Sequence, residues 1–337
     1  MLILGNTAVR QVLDGRETSV LDAVRRAYTH HTRGESALPH SVFLRFPGNE
    51  RDRVIALPAY LGGDEPVAGV KWIASFPGNV ALGMERASAA IILNSPRTGR
   101  PECLIEGSTI SARRTAASAA LAAVTLPGAE PAAGLSVIGC GVINGEVARF
   151  AAATHPDLRE VVVFDLDDRR AEDFAARCRA ELGVPARVVG RVDEALAAHR
   201  LVSMATTAAA PHLTLDACRP GTLVLHLSLR DVAVESVLGA VNVVDDPDHV
   251  CRAATSVHLA EQRVGHRGFI RTTLGELLLC GAPTRRDPDR VTLFSPFGLG
   301  VLDLAVADLV LQGARAAGLG VELADFLPAD TTVPAGR

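Results

Sequence analysis

LSVIGCGVINGEVARFAAA, residues 135–153, passes from four strand-forming residues through a turn carrying Gly139, Gly141 and Gly145 into an alanine-rich run of helical character. Glycine permits the tight turn and a close backbone approach, and the helix start offers free N–H groups and a positive dipole end to a pyrophosphate. The turn alone is a weak signal. It gains weight because the next strand, 160–165, ends at Asp165, 20 residues beyond Gly145, where a dinucleotide fold places the acid that holds the adenosine ribose hydroxyls. A carboxylate there repels a 2′-phosphate, which favours NAD over NADP, although Arg169 and Arg170 lie close enough to accommodate one. Asp165 as a mere helix cap is the plainer alternative, but Asp167 and Asp168 are better placed for that.

On either side of this stretch the pattern continues in two styles. Downstream, helices over 145–153, 169–182 and 192–198 alternate with strands over 135–138, 160–165, 187–189 and 201–206, and two more strands follow at 222–227 and 241–245. Such alternation predicts a parallel sheet of Rossmann type. Upstream, beyond the breaker-rich segment 127–134, short β-rich runs at 42–46, 54–57 and 70–75 suggest an antiparallel meander flanked by helices over 19–31 and 110–126. A strand at 291–294 and a long apolar helix over 301–316 complete the chain, and the Thr- and Pro-containing last residues are expected to fray. The fold class is therefore α/β, a parallel sheet domain plus an α+β domain. The expected division is 1–129 with 292–337 as the substrate-binding and dimerisation domain, and 130–291 as the NAD-binding domain.

With 337 residues, 48% apolar and 21% charged, the chain is long enough for two cores and has ordinary globular composition. No run approaches the roughly 20 apolar residues of a membrane span, and no leader pattern opens the chain, which suggests a cytoplasmic protein. A net charge of −4 with 4% aromatics gives no footprint for nucleic acid. Six scattered cysteines form no metal-binding pattern and are expected to be buried thiols, with no metal site. Lys71 is the only lysine among 34 basic residues. It stands beside the single tryptophan in an apolar run, where a compact ammonium needs a partner or a task.

Arg45 and Arg114, on other elements of the same half, would form with Lys71 a cationic pocket for a substrate carboxylate, the alternative for each arginine being a solvated face. After the strand 222–227, the residues His226-Leu227-Ser228-Leu229-Arg230-Asp231 stand at its carboxyl end, where ligands of open α/β sheets bind. Asp231 is the candidate acid/base group, or else a turn cap; His226 is expected to be structural. The cofactor set comprises Gly139, Gly141, Val142, Ile143, Asn144, Asp165, Arg169, Thr206, Thr207, Ser228 and Gly298.

The stretches VKWIASFPGN, LNSPRTGRPECLIEGSTISARRTAASAALAA, VIGCGVINGE, FDLDDRRA and VTLFSPFGLGVLDLAVADL resemble the ornithine cyclodeaminase/mu-crystallin family over nearly the whole chain. The resemblance implies a homodimer built through the N-terminal domain, NAD(P) chemistry at an amino- or imino-acid α-carbon, Arg45, Lys71 and Arg114 as carboxylate binders, and Asp231 as acid/base. Two departures bear on substrate: Ile143 replaces the usual Gln, and LRDVAVES replaces a GD-x-PGK-x-E stretch. The combination GCGVING, ALPAYLGG, KWIASFP and HLSLRD is similar to the branch that oxidises N-(2-amino-2-carboxyethyl)-L-glutamate with NAD, releasing 2,3-diaminopropionate and 2-oxoglutarate for siderophores or peptide antibiotics. Ornithine cyclodeaminase, alanine- or opine-type dehydrogenase and ketimine reductase remain alternatives, as does a non-catalytic NAD(P)H-dependent binding protein.

Overall fold

The computed structural model describes residues 1–328. The tail expected to fray lies mostly outside them. Seven strands of a first sheet come from the N-terminal third: β1 (Leu2–Leu4), β2 (Ser36–Ala37), β3 (Val42–Phe46), β4 (Asn49–Leu61), β5 (Val67–Ser75), β6 (Ala87–Asn94) and β7 (Pro101–Glu106). Strands β3 to β7 form an antiparallel meander, as the sequence suggests, but a larger one. The expected strand at 54–57 is the middle of β4, and β6 and β7 were not anticipated. ASAAIILN and PECLIE are rich in residues of low strand propensity, and pairing across the sheet overrides that local preference. Helices α1 (Asn6–Leu13), α2 (Glu17–Thr32) and α3 (Ser108–Thr125) accompany this sheet.

Strands β8 (Gly134–Ile138), β9 (Glu160–Phe164), β10 (Ala186–Val188), β11 (Leu201–Met204), β12 (Leu223–His226), β13 (Val241–Val244), β14 (Ile270–Thr273) and β15 (Thr292–Ser295) build a second sheet. All its pairings are parallel, in the order β10-β9-β8-β11-β12-β15-β13-β14. The order turns around between β8 and β11, which opens a crevice at their carboxyl ends. Helices α4 (Val142–Thr154), α5 (Asp168–Leu182), α6 (Val192–Ala198), α7 (Val234–Gly239), α8 (Pro247–Val250), α9 (Ser256–Val264) and α10 (Leu274–Leu279) supply the connections. The expected change of domain at 292 falls inside this sheet: β15 pairs with both β12 and β13, and the chain leaves only after Ser295.

Helix α11 (Gly300–Ala317) then returns to the first sheet, followed by β16 (Val321–Glu322) on its outer edge beside β1. Because side chains alternate along a strand, β5 turns Lys71, Ile73 and Ser75 to one face and Val70, Trp72 and Ala74 to the other. Register aligns Leu57, Lys71 and Ile91 in one row across β4, β5 and β6, and Arg45, Arg53 and Ser75 in another across β3, β4 and β5. α11 packs over the Lys71 face. The opposite face leaves Val42, Leu44, Tyr60, Trp72 and Ile92 exposed.

Candidate active site

At the end of β8 the backbone turns at Gly139 with φ +89°, a conformation that disfavours any side chain. A Cβ there would stand 2.7 Å from the Ala205 carbonyl oxygen, so the neighbouring chain also requires glycine. Gly141 caps α4 without any side-chain cap bond, and a Cβ at Gly141 or Gly145 would meet nothing within 4 Å. The first N–H groups of α4, at Val142 and Ile143, therefore face open space. Helix α5 differs, since Asp167 caps it by accepting from the N–H groups of Arg169 and Arg170. That leaves Asp165 free of capping duty, its carboxylate 2.7 Å from the Cys140 N–H and 3.1 Å from that of Asp167. An uncapped helix start beside a half-buried carboxylate fits a dinucleotide's pyrophosphate and ribose hydroxyls.

Several members of the expected cofactor set are used otherwise. The buried Asn144 side chain donates to the Ile138 carbonyl (2.9 Å) and the Gly139 carbonyl (2.7 Å) and accepts from Ser203 Oγ (2.6 Å). It braces the glycine turn from behind and has no side-chain group to offer a ligand. Thr206 and Ser228 both donate their hydroxyls to Asp231. Gly298 faces the substrate end: its φ is +95°, and a Cβ would stand 2.6 Å from Arg114 Nη1. Thr207 and Arg169 are exposed.

Lys71 and Arg114 come together on an acid that sequence reading missed. Lys71 Nζ lies 2.7 Å from Asp303 Oδ2 and 3.3 Å from Ser111 Oγ, while Arg114 Nε lies 3.0 Å from Asp303 Oδ1. All three charged groups are buried. Burial pushes the Lys71 ammonium down to about 8; Asp303 opposes the shift and Arg114 adds to it. Asp303 sits in the apolar run VLDLAVADL of α11 on its buried face; an acid in such a run is the signal that could have drawn notice, but the run alone names no partner for it. Arg45 does not join this cluster. It shares the sheet face but belongs to the Arg53 row, exposed, with its guanidinium carbon 5.7 Å from the Phe43 ring centre.

Asp231 is buried beyond β12 and 3.3 Å from His226 Nε2. Burial pushes its carboxyl up, but hydrogen bonds and charge from His226, then the hydroxyls of Ser228 and Thr206, outweigh that and hold the carboxyl at about 2. His226, on its other side, has Nδ1 3.2 Å from Ser295 Oγ, so a residue expected to be structural supports the candidate acid/base group. The turn before Asp231 is strained, with Leu229 at φ +69°. Non-glycine residues held this way cluster where function requires them.

The model of the ornithine cyclodeaminase/mu-crystallin family matches residues 7–318. The chain belongs to that family. Among its members, an N-((2S)-2-amino-2-carboxyethyl)-L-glutamate dehydrogenase of Staphylococcus aureus is 29% identical, over 96% of this chain and 98% of that one. A Thermococcus litoralis Δ1-pyrroline-2-carboxylate reductase, solved with NADH and L-proline, superposes with a TM-score of 0.87 at 25% identity, covering 96% of this chain and 100% of the other. An archaeal alanine dehydrogenase dimer with bound NAD gives a TM-score of 0.87 at 26% identity, covering 97% and 99%. For a family member, the arrangement has two halves: an open helix start at the second sheet, and a buried cation pair at the first with Asp231 beyond the neighbouring strand ends. Among the described residues no helix is long and apolar enough to cross a membrane.

Proposed function

We propose that this oxidoreductase uses NAD to oxidise N-(2-amino-2-carboxyethyl)-L-glutamate and hydrolyses the product imine, releasing L-2,3-diaminopropionate and 2-oxoglutarate. The observation that carries the reading is the charge balance of the buried site. Lys71 and Arg114 share the single carboxylate of Asp303, which leaves one positive charge for the carboxylate at the reacting α-carbon. Whole-length similarity to the Staphylococcus aureus dehydrogenase supports the substrate. The cofactor would rest on the N–H groups of α4 with its ribose at Asp165, and when bound it accepts a hydride. The functional halves are proposed as 1–129 with the C-terminal helix for substrate and dimer contacts, and the intervening parallel sheet for NAD.

In the reaction the glutamyl Cα–H of the neutral secondary amine leaves as hydride while the nitrogen keeps its proton, giving a positively charged C=N bond. Lys71 and Arg114 hold the adjacent carboxylate so that this carbon stays in place, and such alignment can contribute on the order of 7–11 kcal/mol. Water adds to the carbon. Its proton passes to the amine nitrogen, and the C–N bond breaks to leave a ketone and a primary amine. A carboxyl held near 2 is a weak base but stays charged at neutral pH. Asp231 therefore acts chiefly by stabilising the positive C=N group and aligning the water.

The test is to mix the protein with this substrate and NAD, follow NADH absorbance and identify the products by mass. NADH with diaminopropionate supports the reading; no NADH from this substrate, but turnover of alanine or of a cyclic imino acid, replaces it. The latter alternative draws on the likeness to the pyrroline-carboxylate reductase.

A further inference from the structure

Beyond the Lys71 site, the same sheet face carries a second group of cations. Arg45 and Arg53 are cross-strand partners on β3 and β4, and Ser75, next in that row, accepts from Arg86 Nη1 at 2.8 Å. Arg53 precedes Leu57, the partner of Lys71, by four positions, about 13 Å along the strand. From the other sheet, Arg230 precedes Asp231 and donates through Nη2 to the Ala253 carbonyl at 2.7 Å. Ala253 in turn lines a cavity of about 210 Å³ with Ser41, Phe43, Arg45, Arg252 and Phe297.

Among the described residues no ion pair balances the charge of this group, and Asp231 acts on Arg230 only through its field. Among the described residues no carboxylate stands within ion-pair distance of Arg45, Arg53, Arg86, Arg230 or Arg252. Burial lowers the pKa of Arg53 and of Arg230, and neighbouring arginines lower each further: Arg45 acts on Arg53, and Arg53 and Arg45 act on Arg230, with Asp231 opposing there. Arginines brought together without an ion-pair acid, Arg53 and Arg230 half-buried and Arg45 exposed, are arranged for an anion that arrives from outside. The turn that holds Arg230 is strained at Leu229, and the turn it grips is strained at Ala253 and Ala254, with φ of +53° and +52°. Such backbone persists only where the surroundings impose it.

We propose that Arg53 and Arg230, with Arg45, form a second carboxylate subsite that spans the two sheets and selects substrates carrying a further acidic arm. The inference rests on the proposed reaction at the Lys71 site, whose substrate has three carboxylates. Its chemistry is that of bidentate guanidinium recognition, and Arg230 couples the arm to the catalytic side by its place next to Asp231. An amino acid with a single carboxylate would fill the Lys71 site and leave this one empty.

The test pairs the variants Arg53→Gln and Arg230→Gln with three substrates: N-(2-amino-2-carboxyethyl)-L-glutamate, the analogue with alanine in place of the glutamyl part, and the analogue lacking the carboxyl of the aminoethyl arm. For the full substrate each variant is expected to raise KM about ten- to a hundredfold, as for lost hydrogen bonds to charge, with a much smaller change in kcat. Against one of the two truncated analogues the same substitution should leave KM near that of the unaltered enzyme, because the partner carboxylate is already gone. Arg53→Gln should also hold or raise the melting temperature of the free protein, since it relieves repulsion, whereas a structural arginine would lower it. An equal effect on all three substrates, or no effect on KM, overturns the subsite while leaving the reaction intact. If the full substrate is not turned over at all, competition by citrate against whichever amino acid is oxidised decides: inhibition weakened by Arg53→Gln keeps the subsite, and no inhibition removes it. Arg191→Gln, on the exposed start of α6, controls for general loss of positive charge.

Discussion

The Lys71 ammonium, with Asp303 at 2.7 Å and Ser111 at 3.3 Å, occupies a space shaped for a point charge. A guanidinium is planar and larger, so Lys71→Arg should raise substrate KM about ten- to a hundredfold, and wild-type steady-state kinetics would remove the lysine from the site. The pH dependence follows from the lowered pKa of this ammonium. Below about 8 the group is charged and attracts a carboxylate; as pH rises through about 8 the charge is lost, and KM should climb. Binding then takes up a proton, which calorimetry in buffers of different ionisation enthalpy would detect. For Asp231→Asn the expectation is a fall in kcat of roughly 10²–10³ with NADH binding retained, read by stopped-flow and fluorescence titration. The lone lysine was legible because it broke a compositional pattern, and the acid after β12 because it stands at the carboxyl end of a strand in the parallel sheet. Asp303 was not, because its partners lie 232 and 189 residues away in the chain.

Elements with a strong period were legible to within a few residues, as in α2, α5, α6 and α11 and the strands that alternate with them. The helices and the strand of 247–279 carry weaker patterns and were not anticipated; they are short, and their place is set by tertiary contacts, β14 on β13 and α10 on α2. β15 and α11 were expected at 291–294 and 301–316, but the domain bound drawn at 292 cuts the strand; the chain leaves the parallel sheet only in the passage between the two. There Asp245, at the end of β13, accepts from the N–H groups of Phe297 at 2.9 Å and Gly298 at 2.7 Å. Burial pushes this carboxyl up to about 6 against those bonds. Gly298→Ala should be costly on two counts. The φ of +95° costs of order 1–3 kcal/mol for a side chain, and the new methyl would press on Arg114. The expected result is a lower melting temperature together with a raised KM; a lower melting temperature with unchanged KM would mean that Arg114 does not hold substrate.

At the scale of the molecule, the uncovered face of the first sheet asks for a partner. Val42, Leu44, Tyr60, Trp72 and Ile92 form a broad apolar surface of the sort that marks an interface. A second copy of this chain is the proposed occupant; the archaeal alanine dehydrogenase of the same fold is solved as a dimer. Trp72→Glu should then shift the protein from dimer to monomer in sedimentation velocity without changing its secondary structure; an unchanged sedimentation coefficient would place the interface elsewhere. The apolar character of this face was hidden in the sequence because both faces of β4 to β6 are apolar, one toward α11 and the other outward, so alternation could not separate core from contact.

Helix α11 comes from the far end of the chain yet roofs the first sheet and carries Asp303. During synthesis every strand of the parallel sheet has been made by residue 295, whereas the substrate half waits for residues 300–317. Until then Lys71 and Arg114 have no counter-charge and the sheet beneath them has no cover. A nascent chain can thus assemble its dinucleotide half early, but it gains a substrate pocket only near the end of translation. A message cut short before α11 would yield a product with bare apolar sheet, suited to removal by proteases rather than to consuming cofactor without its partner substrate.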